Sequence, residues 1–261
     1  MRITRFTTGD EPRFGLVEGE PGEEVIHVVV GDPLYAPLQP TGERVPLADA
    51  RLLAPVIPRS KIVGIGRNYA DHAREMGNEL PEKPLMFLVP NTAVVGPGDP
   101  VVLPEGSERV DYEGELAVVI GRVCKDVPED RVAEVVFGYT VANDVTARDW
   151  QKGDGQWARA KGFDSSKPLG PYIVPDLSLE DVEDLRLTTR LDGAVVQDGT
   201  TKDMVFGVAE LVMAASRAFT LLPGDVILTG TPAGVGELRE GQRVEVEVEG
   251  IGTLSNPVVR R

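Results

Sequence analysis

A chain of 261 residues with 41% hydrophobic content can bury one sizeable core, or one core with a small appendage. Its formal net charge of −15 excludes nucleic acid and anionic membrane surfaces as partners, and repels small anions unless a metal or local cations reverse the field. The lone Cys124 excludes an internal disulfide and fits a reducing cytoplasm, no apolar run approaches the roughly 20 residues needed to cross a bilayer, and the opening residues do not read as a signal peptide.

Residues 1–57 read as short strands ("RITRFTT", "RFGLVEG", "EEVIHVVVG") separated by "GDE" and "EPGEE" and closed by the Pro-marked connector "LLAPVIPRS". This predicts a small N-terminal β domain, in which His27 is a structural histidine, followed by a larger domain over 58–261. The second segment opens with "KIVGIGRNYADHAREMG", a strand, a glycine turn and a short helix that stops at Gly77. Strands follow at 85–89, 94–95, 101–102, 115–120 and 136–142. The capping-box form "TARD" starts a helix near Thr146, and loops rich in Gly, Lys and Pro fill 152–171. A hairpin turns at Asp192–Gly193, one longer helix spans about 207–221, and the remainder is β. Many strands, few helices and no regular βαβ alternation predict a β-rich α+β fold.

Two glycine-rich stretches invite nucleotide readings, and both fail. "GIGRNY" follows an apolar strand, but Tyr69 stands where a dinucleotide fingerprint needs its third glycine. "GTPAGVG" lacks the Gly-Lys-Ser/Thr ending of a phosphate loop and reads as a tight turn lining a pocket.

The stretch "RVDYEGELAVVIG" carries more. Strand side chains alternate, so Asp111, Glu113 and Glu115 point the same way. In "RVEVEVEG" the alternation is complete, with valines on one face and solvated glutamates on the other. Around Glu113 and Glu115 it breaks down, because beyond them both faces turn apolar. Two acids where a solvated face enters a core repel each other and are poorly hydrated, unless a cation or proton intervenes. Asp144, at the end of another apolar strand, is either a helix cap or a third carboxylate for the same site. Three hard oxygen donors suit Mg²⁺ or Mn²⁺ rather than zinc, since only two histidines exist. His72 and Glu75 stand at i, i+3, either as an exposed pair or as a dyad in which the carboxylate orients an imidazole base. Lys161 reads as a loop lysine, and Cys124 as an ordinary thiol.

Six motifs in order ("GRNYADHAREMG", "DYEGELAVVIG", "NDVTARDWQ", "AKGFDSSKPLGPY", "DGTTKDMVF" and "LTGTPAGVG") resemble the fumarylacetoacetate hydrolase family over nearly all of 58–261. The resemblance implies a mixed β-roll, commonly dimeric, with 58–261 as the catalytic domain. It implies Glu113, Glu115 and Asp144 as ligands of one Mg²⁺ or Mn²⁺, and His72, Glu75 and Lys161 as catalytic groups. Gln151 and Thr231 match substrate contacts, and Arg148 matches an arginine that supports the site. It further implies a small anionic 2-oxo acid substrate and chemistry through a metal-stabilised enolate. The expected activity is that of a 2-hydroxyhepta-2,4-diene-1,7-dioate isomerase or decarboxylase of aromatic catabolism. The alternative is an acylpyruvate C–C hydrolase with oxaloacetate decarboxylase activity. Residues that read the substrate's tail are expected in the loops 77–83 and 152–160.

Overall fold

The strand Gly114–Ile120 is buried on both faces, which is why its sequence abandons alternation. A computed structural model describes residues 1–77 and 79–260. In it Leu116, Val118 and Ile120 pack with Leu211, Val212 and Ala215 of the helix Val208–Ala218 and with Val246 and Leu254 of a second sheet. On the other face Ala117 and Val119 join Ile3, Ile62, Leu169 and Ile173.

Among the described residues, twelve strands form one mixed sheet. Its main path runs Pro40–Pro46, Val25–Val29, Arg13–Glu18, Arg2–Thr7, Lys167–Val174, Val136–Asn143, Gly114–Ile120, Val226–Leu228, Ile62–Gly66 and Leu85–Val89. Neighbours on that path are antiparallel except Val226–Leu228 beside Ile62–Gly66. The N-terminal strands thus extend the central sheet, with Ile3 opposite Ile173. A five-stranded sheet contains Arg186–Leu191, Arg243–Val248 and Gly252–Arg260, and packs across Gly114. A Cβ on Gly114 would lie 2.3 Å from Thr189 Oγ1 and 2.9 Å from Val246 Cγ1, so only glycine lets the two sheets close between Glu113 and Glu115. The predicted β-rich α+β fold is what the chain adopts, with five short α-helices among the described residues.

Most predicted elements stand where expected, and the hairpin turns through Asp192 and Gly193, both at positive φ. Three expectations need correction. The helix expected near Thr146 is present as Arg148–Gly153, but not through a capping box: Thr146–Ala147 is a short strand, and the helix has no side-chain cap. The Thr146 hydroxyl instead donates to Asp144 O at 2.8 Å and accepts from Lys161 Nζ at 2.8 Å, so it is unavailable as a cap. The span 152–171 is not all loop, since it holds the helix Ala158–Gly162 and the start of the strand Lys167–Val174. The long helix stops at Ala218, because Phe219 is extended and Leu221 pairs with Cys124.

One buried amide ties together the segments that frame the site. Asn68 Nδ2 donates to Phe206 O (3.0 Å) and Thr229 O (2.8 Å), and its Oδ1 accepts from Phe206 N (2.9 Å). It precedes the helix Ala70–Glu75, which carries His72, and Thr229 precedes the "GTPAGVG" turn. Asn68→Ala would leave three buried backbone groups without partners, each worth about 1–3 kcal/mol. Thermal denaturation should show a loss of about 3 kcal/mol, with a lowered melting temperature that added divalent ion does not fully restore.

Candidate active site

Glu113, Glu115 and Asp144 converge because of strand register. Gly114 pairs with Asn143 and Glu115 with Ala142, so Asp144 emerges beside Glu113, and Asp144 N donates to Glu113 O at 2.8 Å. One oxygen from each carboxylate falls within 4.8 Å of the others, and all three residues are buried. Glu115 Oε2 accepts the Gly230 amide at 2.8 Å, which links the cluster to the "GTPAGVG" turn. The reading of Asp144 as a helix cap falls away.

The local sequence reads Lys161 as a solvated loop lysine, and the family resemblance makes it an active-site group. Lys161 sits on the helix Ala158–Gly162 with 3% of its surface exposed, and its ammonium donates to Glu113 (2.7 Å), Asp144 (2.6 Å) and Thr146 Oγ1. Burial opposes its charge most strongly, but Asp144 and Glu113 outweigh it and raise its pKa. Burial likewise works against the Glu113 carboxylate, yet Arg148 and Lys161 hold it well below the usual carboxylate range. Glu115 goes the other way. Burial, then Asp144, then Glu113 push its carboxyl well up, and Lys161 and the Gly230 amide offset this only in part.

That residual repulsion is the test of whether an ion fits. The three donors are hard oxygens, one of them (Glu115) has no cationic side chain bonded to it among the described residues, and Asp144 Oδ1 lacks a well-oriented hydrogen bond although Lys167 Nζ lies 2.7 Å away. A divalent cation of the Mg²⁺ or Mn²⁺ kind suits this set.

The carboxylates lie at a cavity of 680 Å³, and every predicted site residue except Asp144 lines it. Asp144 stands behind, joined through Lys161. Arg148 is the hub of the near wall: it donates to Asp111 Oδ2 (2.9 Å), Glu113 Oε1 (2.5 Å) and Gln151 Oε1 (3.0 Å). An arginine only donates, so the atom of Gln151 facing it is the oxygen, and the Gln151 amide nitrogen is left for the cavity. The Thr231 hydroxyl donates to Gly114 O (2.8 Å) and accepts from Gln197 Nε2 (2.8 Å), so its proton is already committed to the fold.

His72 is buried, and its Nδ1 lies 3.5 Å from Glu75 Oε2, close enough for charge but too long for a good hydrogen bond. Glu75 is fixed instead by the Gly234 amide at 3.1 Å. Burial lowers the His72 pKa, and Glu113 and Glu75 counter this only in part. The imidazole is therefore neutral near pH 7. The remaining singled-out residues behave as expected: His27 is half-buried in its strand with Nε2 3.3 Å from Glu18, and burial pushes the Cys124 thiol up, the opposite of an activated nucleophile.

Sequence reasoning missed three residues. Asp111 was placed on the correct face but given no task; it is buried and receives both Arg109 and Arg148. Gln197 accepts from Gly114 N at 3.0 Å and holds Thr231, and nothing local in "VVQDG" marks it. Lys167, in "SSKPLG", is completely buried, donates to the carbonyls of Val145 (3.1 Å) and Ser166 (2.8 Å), and ion-pairs with Asp144. A run of polar residues disguised it.

Comparison with known proteins gives the family. Residues 61–259 match the family described as "Fumarylacetoacetate (FAA) hydrolase C-terminal", and residues 1–55 match the one described as "Rv2993c-like, N-terminal". The chain belongs to the fumarylacetoacetate hydrolase family. It superposes on 5-carboxymethyl-2-hydroxymuconate delta-isomerase from Mycobacterium smegmatis with a TM-score of 0.92 and 48% identity, covering 100% of both chains. The 2-hydroxyhepta-2,4-diene-1,7-dioate isomerase from Mycobacterium marinum gives 0.91 and 47%, covering 100% of this chain and 99% of that one. Oxaloacetate tautomerase fahd2, mitochondrial, from Xenopus laevis is 38% identical, over 99% of this chain and 90% of its own length. Members of this family are enzymes, and the buried triad is one that could hold a metal. No described helix is long and apolar enough to cross a membrane.

Asp111 supports the site without belonging to the ligand cluster. Asp111→Asn would keep the shape but remove one acceptor and the charge facing Arg148, loosening Arg148 on that side and with it Gln151; outer partners of this kind are worth about 10–100-fold in activity or metal affinity. Steady-state kinetics should show that loss while circular dichroism stays unchanged.

Proposed function

We propose that the protein is a divalent-metal-dependent enzyme acting on 2-oxo and 2-hydroxydienoate dicarboxylates, of the 2-hydroxyhepta-2,4-diene-1,7-dioate isomerase or decarboxylase kind. The observation that carries this reading is the triad of Glu113, Glu115 and Asp144 beside the Lys161 ammonium at one wall of an open cavity. The full-length likeness to two isomerases supports it. Glu113, Glu115 and Asp144 would hold Mg²⁺ or Mn²⁺, and when bound the ion would supply positive charge that stabilises a developing enolate. Lys161 Nζ presents a second positive charge at the same wall. The Gln151 amide nitrogen, turned to the cavity by Arg148, can orient a substrate carboxylate. Isomerisation relocates a proton from the 2-hydroxyl oxygen to C5. Neutral His72 can take up such a proton, and Glu75 stabilises the imidazolium that results.

A second reading is C–C hydrolysis of an acylpyruvate, which needs an activated water. The His72–Glu75 pair, fixed through Gly234, favours it. The two readings separate in one NMR time course with Mg²⁺, containing 2-hydroxyhepta-2,4-diene-1,7-dioate, an acylpyruvate and oxaloacetate, beside an EDTA-treated control. Metal-dependent conversion of the dienedioate alone supports the first. Cleavage of the acylpyruvate alone supports the second, and conversion of none removes both.

Two variants sharpen the assignment. Glu113→Ala should abolish turnover and divalent-ion binding together, by calorimetry and kinetics; normal turnover would remove the site. For His72 the sign of the pH effect is fixed. Its folded pKa lies below the ordinary value of about 6.5. The neutral form therefore persists at pH 6.5, and a nearby divalent ion would depress the pKa further. The acid limb of kcat/KM should lie below that pH and vanish in a residually active His72→Asn. Stability follows the same sign, since a histidine buried neutral loses its contribution as pH falls below its unfolded value.

A further inference from the structure

Resting on the reading just given, we propose that Arg67 forms a second anion subsite in the same cavity, one that binds the carboxylate at the far end of a dicarboxylate substrate. Three arginines line the cavity. Arg109 is paired with Asp111, and Arg148 with Asp111 and Glu113. Arg67 alone of the three has neither a hydrogen bond nor an ion pair among the described residues. In a chain of net charge −15 with twenty arginines, an unpaired guanidinium lining a cavity calls for a physical reason.

The backbone adds a second, independent observation. Arg67 sits between the strand Ile62–Gly66 and the helix Ala70–Glu75 at φ +59°, in the left-handed region. Such a conformation costs a non-glycine residue roughly 1–2 kcal/mol. Glycine or asparagine would meet the turn's geometry with less strain, so arginine is the unfavourable choice for the backbone. What arginine brings is a guanidinium, whose planar fork matches a carboxylate.

The surroundings leave that fork to a ligand. Glu75, the partly exposed acid of the cavity, is held by the Gly234 amide. Asp111 is saturated by its two arginines. Trp157 packs on the turn, since a Cβ on Gly66 would meet its ring at 2.7 Å. Lys152, exposed and also unpaired among the described residues, adds a further positive charge to the cavity lining. The cavity thus has a carboxylate cluster with its own cations on one wall, and free cations elsewhere. A ligand with an α-keto acid at one end and a carboxylate at the other would satisfy both, and its chain length would be read by the distance between them.

The test is isothermal titration calorimetry in Mg²⁺ with three ligands: oxalate, 2-oxoheptanoate and 2-oxoheptanedioate. The last two share a chain length and differ in the distal carboxylate. The wild type should bind the dioate about tenfold or more tighter than the monoacid, the scale of a charge-assisted bidentate contact. Arg67→Asn, which tolerates positive φ, should bring the two within about twofold and leave oxalate affinity unchanged. Arg67→Lys should retain part of the preference. A preference that survives Arg67→Asn, or its absence in the wild type, overturns the proposal while oxalate binding still upholds the inner site. Failure of oxalate to bind the wild type overturns the inner-site reading, and the proposal with it.

Discussion

Three carboxylates share one end of a buried strand pair, and the arrangement of the rest of the site follows from neutralising them. Left alone in the interior, Glu113, Glu115 and Asp144 would take up protons or push the strands apart. Cations on other elements offset this for Glu113 and Asp144, and only in part for Glu115. Lys161 reaches in from the helix Ala158–Gly162, Arg148 from the helix Arg148–Gly153, and Lys167 from the strand behind Asp144. Arg148 and Lys161 lie 35 and 48 residues from Glu113 in sequence, so the folded state is what brings them to it. Removing one such partner leaves a buried charge uncompensated, which typically costs about 3–5 kcal/mol.

The framework is built to hold these groups at fixed separation. Glu113 and Glu115 are spaced by Gly114, whose missing side chain lets the second sheet press against the strand. Gln197, from that second sheet, binds the Gly114 amide and the Thr231 hydroxyl at once. Asn68 fixes the approach to His72 and the departure of the strand Val226–Leu228. A displacement at any of these points would be felt at the carboxylates, because the packed interior between them has little room to absorb it. The same economy shows in Thr231, whose hydroxyl is used to hold the strand and leaves only acceptor capacity for a ligand.

Much of this was legible before the fold. The failure of alternation after Glu115 is a local signal, and it correctly marked acids entering a core. The plain alternation of "RVEVEVEG" marked an ordinary half-exposed strand, and Arg243–Val248 is one. The ordered motifs, through their likeness to a family, carried the fold and named the residues that now meet. What was hidden depends on contacts between distant segments. The burial of Lys161 cannot be seen in "RAKGF", because its three oxygen partners come from elsewhere in the chain. The "TARD" capping signal misled for the same reason, since Thr146 is bound by that lysine and by Asp144 O. The helix Ala158–Gly162 is too short for periodicity to reveal, and its N-cap is Trp157, which makes no side-chain cap.

Lys167 bears on where the counter-charge of the carboxylate cluster comes from. Its ammonium is wholly enclosed, anchored by two backbone carbonyls and set against Asp144 from the side away from the cavity. It is a counter-ion joined covalently to the chain, present from the moment of synthesis at a concentration no dissolved ion can match. With Lys161 and Arg148 it sets polypeptide cations against Asp144 and Glu113. Small zinc domains fold only when their metal binds, because nothing else offsets their ligands. Here polypeptide charges take on part of that role, so Asp144 and Glu113 carry their counter-ions within the sequence itself.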